Sequence, residues 1–122
     1  MIKVFIADDH TLLRKGIKMI LSDTEDIVVT GEASDGEAVL EKLEENNFDV
    51  LVLDISMPRK NGVEVLKEIK ARGNTIPVLI LSTFTDEEYA ELAVQLGAAG
   101  YLTKDKIPAD LIDAIKKVSQ NT

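Results

Sequence analysis

The chain has no cysteine, no tryptophan, one histidine and three prolines in 122 residues. Without cysteine there are no disulfides, no thiolate metal sites and no cysteine nucleophile. A lone histidine rules out a multi-histidine metal centre and leaves little for histidine-based acid–base work. Basic residues are in deficit: 14 Lys and Arg against 22 Asp and Glu, for a formal charge of −8. A nucleic-acid reader needs a basic face to neutralise phosphates, so this chain alone is a poor DNA or RNA binder. No apolar run approaches the roughly 20 residues of a membrane span. The N-terminal Met1–Ile6 turns acidic at Asp8, too soon for a signal peptide. The default expectation is a soluble cytoplasmic protein.

What is present is ordinary globular composition, with 45% hydrophobic and 30% charged residues. The length predicts one domain over residues 1–122, large enough to bury about two-thirds of its unfolded surface. Short apolar runs at Val4–Ala7, Ile27–Val29, Val50–Leu53, Val78–Leu81 and Gly100–Leu102 alternate with helical patterns. The runs at Val50–Leu53 and Val78–Leu81 are continuous, as strands covered on both faces require. Between them, one apolar face each is formed by Leu13, Ile17, Ile20 and Leu21; by Val39, Leu40 and Leu43; and by Val65, Leu66 and Ile69. Tyr89, Leu92, Ala93 and Leu96 form a fourth, and Leu111, Ile112, Ile115 and Val118 a fifth.

Capping boxes are expected at Ser34/Glu37 and Thr85/Glu88, a cap at Asn61, a first-turn proline at Pro108, and helix-ending glycines at Gly73 and Gly97. Five βα units with right-handed crossovers predict an α/β fold, a doubly wound five-stranded parallel sheet. Ligands of such sheets bind at the carboxyl ends of the strands.

The residues that end the apolar runs are polar. The first ends in Asp8-Asp9-His10, the third in Asp54, the fourth in Ser82-Thr83 and the fifth in Thr103-Lys104. Parallel strands bring these to one edge. Packed carboxylates repel unless a cation intervenes, and a hard divalent ion with few protein ligands suits Mg2+. Lys104 supplies a second positive charge and Ser82 a hydroxyl donor, the equipment for holding a phosphoryl group. Asp54, on the central strand, is the candidate nucleophile, because a carboxylate can form an acyl phosphate. His10 reads as a local structural residue, and Glu41–Glu45 as a solvated helix face.

These residues resemble the receiver domains of two-component response regulators. The likeness runs through Asp8-Asp9, Asp54 with Met57-Pro58 and Gly62, Ser82, and Gly97-Ala98-Ala99-Gly100-Tyr101 leading to Lys104. It implies a flavodoxin-like fold with strand order 2-1-3-4-5. It implies that Asp54 takes a phosphoryl group from a phosphohistidine on a sensor histidine kinase. It also implies a Mg2+ site of Asp9, Asp54 and the Ser56 carbonyl, with Asp8 acting through water. Asp-Asp-His at the first strand, and Lys104-Asp105 where many receivers have Lys-Pro, resemble the NarL/LuxR type. That type carries a C-terminal helix-turn-helix DNA-binding domain, so the chain reads as a receiver excised from a longer regulator. A stand-alone receiver is the alternative.

On this reading the domain is a phosphotransfer substrate that assists its own modification, rather than an enzyme. Ser82 and Tyr101 are the expected switch pair, Ser56 and Phe84 the positions that tune phosphoryl lifetime. Homodimerisation is a further option, with the fourth helix, fifth strand and fifth helix as one candidate face. An aspartate-nucleophile phosphatase is the competing enzyme class. Its nucleophile typically stands in an Asp-x-Asp pattern on the first strand, whereas Asp8 and Asp9 are adjacent and Asp54 lies far downstream. A flavin-binding electron carrier shares the fold, but Asp8-Asp9 would repel its phosphate.

Overall fold

The computed structural model describes residues 1–82 and 87–120, the side chains of residues 87–90 and of Pro108 excepted. Strands and helices alternate throughout: β1 (Ile2–Ala7), α1 (Thr11–Ser22), β2 (Ile27–Ala33), α2 (Gly36–Glu45), β3 (Val50–Asp54), α3 (Gly62–Ala71), β4 (Val78–Ser82), α4 (Glu87–Gln95), β5 (Gly100–Thr103) and α5 (Ile107–Gln120). A 3-10 turn at Lys104–Lys106 joins β5 to α5. All strand pairs are parallel, in the order β2-β1-β3-β4-β5, as expected. This is the flavodoxin-like doubly wound sheet.

Each sheet face buries its own core. Ile17 and Leu21 of α1 and Ile107, Leu111, Ile115 and Val118 of α5 cover one face, over Val4, Ile6, Val52 and Leu81. Val39 and Leu40 of α2, Val65, Leu66 and Ile69 of α3, and Ala93 of α4 cover the other, over Phe5, Leu51, Leu53 and Ile80. Every residue of β3 and β4 is buried. Full burial of each Val, Leu or Ile contributes about 1.5–3 kcal/mol.

The helix ends are set locally. Asn61 caps α3 in a complete capping box: its side chain accepts from the Glu64 N–H at 2.9 Å, and the Glu64 carboxylate accepts from the Asn61 N–H. Gly73 and Gly97 take φ of +73° and +96° and close α3 and α4 in paired backbone bonds of the Schellman type.

Several sequence expectations shift. The cap of α2 is Asp35, whose side chain accepts from Ala38 N–H at 2.9 Å, and not Ser34. Asp and Ser cap equally well, so sequence does not choose between neighbours. Pro108 is the second residue of α5 rather than the first. Leu92 is exposed, because the neighbouring Ala93 is the residue that α4 turns into the core. The Thr85/Glu88 pair includes Thr85, which lies outside the described residues, as do Thr83 and Phe84.

One glycine holds α3 against the end of β3. A Cβ on Gly62 would stand 2.7 Å from both the Asp54 carbonyl oxygen and Ile55 Cα. Those are backbone atoms and cannot swing aside. Gly62→Ala is therefore expected to lower stability by about 1–3 kcal/mol in urea unfolding, the usual cost of overpacking. An unchanged midpoint would mean that the loop after Asp54 moves freely.

Candidate functional site at the carboxyl ends of the strands

Register brings the polar strand ends together. Ala7 pairs with Leu53, Asp54 with Leu81, and Ser82 with Thr103, so the next residues all emerge at one edge. Asp8 and Asp54 are buried, as is Ser82; Asp9 is largely exposed. Two Asx turns lock the two buried carboxylates. Asp8 Oδ1 accepts from the His10 N–H at 2.7 Å, and Asp54 Oδ1 from the Ser56 N–H at 3.1 Å. Their other oxygens, Asp8 Oδ2 and Asp54 Oδ2, are buried without a hydrogen bond. The Lys104 ammonium stands 3.3 Å from the first and 3.2 Å from the second, with its side chain only 12% exposed. Asp8, Asp9, His10 and Asp54 each offer a ligand atom within 4.8 Å of the others.

The electrostatics follow from this geometry. Burial pushes the Asp54 carboxyl above the usual range, and the Asp8 charge adds to the rise. The Ser56 N–H and Lys104 oppose it without cancelling it. Three converging carboxylates, two of them buried against a single ammonium, fit a hard cation.

The loop that follows Asp54 is constrained. Arg59 adopts φ of +69°, and the Lys60 N–H donates to the Pro58 carbonyl across it at 2.8 Å, a three-residue γ-turn that non-glycine residues adopt rarely. Buried Met57 and the Gly62 N–H bond to the Ile55 carbonyl anchor the loop on either side.

The family of response regulator receiver domains matches residues 4–116.

The chain belongs to that family.

It is 38% identical over 119 residues to the uncharacterized transcriptional regulatory protein YxjL of Bacillus subtilis, covering 98% of this chain and 55% of that one. It is 37% identical over 116 residues to the nitrate/nitrite response regulator protein NarL of Escherichia coli, covering 95% and 54%. A LuxR-family DNA-binding response regulator from Staphylococcus aureus superposes with a TM-score of 0.89 at 32% identity, over 98% of this chain and 99% of that one. The chain is thus a receiver of the NarL/LuxR type. It spans about half the length of the curated relatives it matches. Among its described residues no helix is long and apolar enough to cross a membrane.

The receiver's remaining site residues are placed as follows. Ser56 is exposed at the rim. Tyr101 is half-buried and packs against the core under α2, α3 and α4. Phe84 lies outside the described residues. One residue escaped the sequence reading. Arg14, on the first turns of α1, donates through Nη1 to the Asp8 carbonyl, and its Nε lies 3.4 Å from Glu32 on β2. Glu32 in turn accepts from Lys18 at 2.9 Å, which holds its carboxyl below the usual range. This network ties the Asp8 turn to the sheet edge. His10, read from the sequence as a local structural residue, has its Nδ1 3.2 Å from Asp8 Oδ1 and 3.3 Å from Asp9 Oδ1. Nothing local in the sequence marks Arg14. The position of His10 beside Asp8-Asp9 was visible, but its ring direction was not.

Proposed function

We propose that this receiver takes a phosphoryl group from the phosphohistidine of a sensor histidine kinase onto Asp54, in the cytoplasm, and relays the change to an attached output domain. One observation carries the reading: two buried carboxylate oxygens, on Asp8 and Asp54, flank the Lys104 ammonium and lack hydrogen bonds. Two buried carboxylates held against one ammonium are costly to a fold, and such arrangements cluster at functional sites.

Asp8, Asp9, Asp54 and the Ser56 carbonyl are the residues that would hold Mg2+, with Asp8 acting through water. Bound there, Mg2+ offsets the carboxylate charges and draws charge from phosphoryl oxygens. The chain's own work is positioning. The Ser56 N–H fixes the rotamer of Asp54, so the carboxylate faces incoming phosphorus without searching. An Asp54 oxygen bonds to phosphorus as the P–N bond breaks, and the leaving imidazole keeps that electron pair. Lys104 neutralises charge on the transferred oxygens. The product is an acyl phosphate on the protein itself, so the receiver is a substrate that aids its own modification.

Ser82, at the buried end of β4, donates to the new phosphoryl group, and Tyr101 follows by turning further into the core. Ser56 and Phe84 flank the path of hydrolytic water and set the lifetime. The output is transcriptional, through a C-terminal helix-turn-helix domain outside this chain. The description of two relatives as transcriptional regulatory proteins and the half-length match support that step. With a net charge of −8 the receiver leaves DNA contact to that domain, and homodimerisation on phosphorylation would pair two such domains.

The test is labelling by phosphoramidate with Mg2+, followed by intact mass. One phosphoryl group per chain is expected, dependent on Mg2+ and removed by neutral hydroxylamine, as an acyl phosphate must be. A hydroxylamine-resistant adduct, or none, would refute the assignment.

A further inference from the structure

The geometry points to His10 as an additional side-chain ligand in this site, making it a mixed nitrogen–oxygen centre that takes a first-row transition ion such as Co2+ or Ni2+ in preference to Mg2+. The inference rests on the metal reading above and deepens it.

Three observations carry it. First, His10 Nδ1 stands 3.2 Å from Asp8 Oδ1 and 3.3 Å from Asp9 Oδ1. Metal–ligand bonds of about 2.1 Å put neighbouring ligands about 3.0 Å apart in an octahedron and about 3.4 Å apart in a tetrahedron. Nδ1 already lies at such an edge length from Asp9, the carboxylate that ligates directly on the reading above, while its contact with Asp8 is a hydrogen bond. Second, the turn that orients Asp8 also fixes His10, because the His10 N–H is the donor to Asp8 Oδ1. The ring therefore needs no backbone change to reach a shared ion. Third, Asp8, Asp9, His10 and Asp54 each offer a ligand atom within 4.8 Å of the others, so the ring joins the same cluster as the carboxylates.

The chemistry of the donor decides the ion. Mg2+ favours oxygen and gains little from imidazole, whereas Co2+ and Ni2+ bind nitrogen strongly and rise in affinity along the divalent series. Coordination through Nδ1 requires the ring hydrogen on Nε2. The His10 side chain is 61% exposed, so solvent is at hand to accept from that nitrogen. The hydrogen bond from the ring to Asp8 Oδ1 would be exchanged for the metal bond.

Two readouts test this on the wild-type chain and on His10→Ala, an exposed site whose loss should leave the circular dichroism unchanged. Calorimetric titration with MgCl2, CoCl2 and NiCl2 should show Co2+ and Ni2+ binding at least tenfold tighter than Mg2+. In His10→Ala that advantage should fall by tenfold or more, while Mg2+ affinity stays within about twofold. Pulsed EPR of the Mn2+-loaded wild type should show 14N coupling that His10→Ala lacks. Equal loss for all ions, no loss for any, or no nitrogen coupling overturns the His10 inference. Mg2+-dependent phosphoramidate labelling of both proteins separates the two readings: normal labelling with no nitrogen coupling sinks His10 alone, whereas absence of any ion binding and of labelling sinks the metal reading with it.

Discussion

Asp54→Asn is expected to reduce phosphoramidate labelling from one group per chain to background, because an amide cannot form the acyl phosphate. The same substitution carries a second signature that labelling does not share. In the metal-free wild type the Asp54 carboxyl titrates above its ordinary range, chiefly through burial and then through Asp8. The native state therefore holds that proton more tightly than the unfolded chain does. Wild-type stability from this group is full below the unfolded pKa and is lost as pH rises through the folded one. Asn does not titrate. The unfolding free energy of Asp54→Asn minus that of wild type should rise as pH increases from acid to neutral, then level off. Paired urea titrations without divalent ions measure it. A difference that is flat with pH would mean Asp54 is not held in a costly ionised state, and persisting label would dismiss it as acceptor.

Lys104→Met should be the most damaging single change to the metal-free fold at this edge. The ammonium stands within 3.3 Å of two buried carboxylate oxygens, and it is the positive charge that the described site offers them. Removing one partner of a buried pair leaves uncompensated charge, with losses of about 3 kcal/mol at neutral pH. Loss of Lys104 also removes a restraint that lowers the Asp54 carboxyl, so that group rises further. By the same sign, the variant's deficit should shrink as pH falls through the raised value. Saturating Mg2+ should recover part of the stability, because an ion then supplies the missing charge. Labelling should slow by about a hundredfold, as loss of one charge-stabilising group commonly does. A variant as stable as wild type at neutral pH without Mg2+ would show that Lys104 does not neutralise the pair.

Much of this was legible before the coordinates. The continuous apolar runs Val50–Leu53 and Val78–Leu81 suited doubly covered strands, and both are buried throughout. Asn61, Gly73 and Gly97 act where their chemistry requires, since capping and left-handed backbone are local matters. Asp8, Asp9, Asp54 and Lys104 were candidates because each ends a strand, and register makes them neighbours. Less legible were the cases decided by side-chain direction. Ser34 and Asp35 are interchangeable as caps on paper. Leu92 shares the helical period of Ala93, yet only the closeness of α4 to the sheet picks the smaller residue. Arg14 carries no pattern at all, and the ring direction of His10 is not written in its neighbours along the chain.

Sequence alone determined the alternation of strands and helices, the acidic balance and the identity of the charged residues at the strand ends, because period, propensity and charge are properties of neighbours along the chain. Tertiary structure alone decided that Asp8 and Asp54 each keep one buried oxygen without a hydrogen bond, that Lys104 stands between them, and that the His10 ring turns toward Asp8 and Asp9. Those are distances between atoms far apart in the chain or around freely rotating bonds, and only the packed sheet edge sets them.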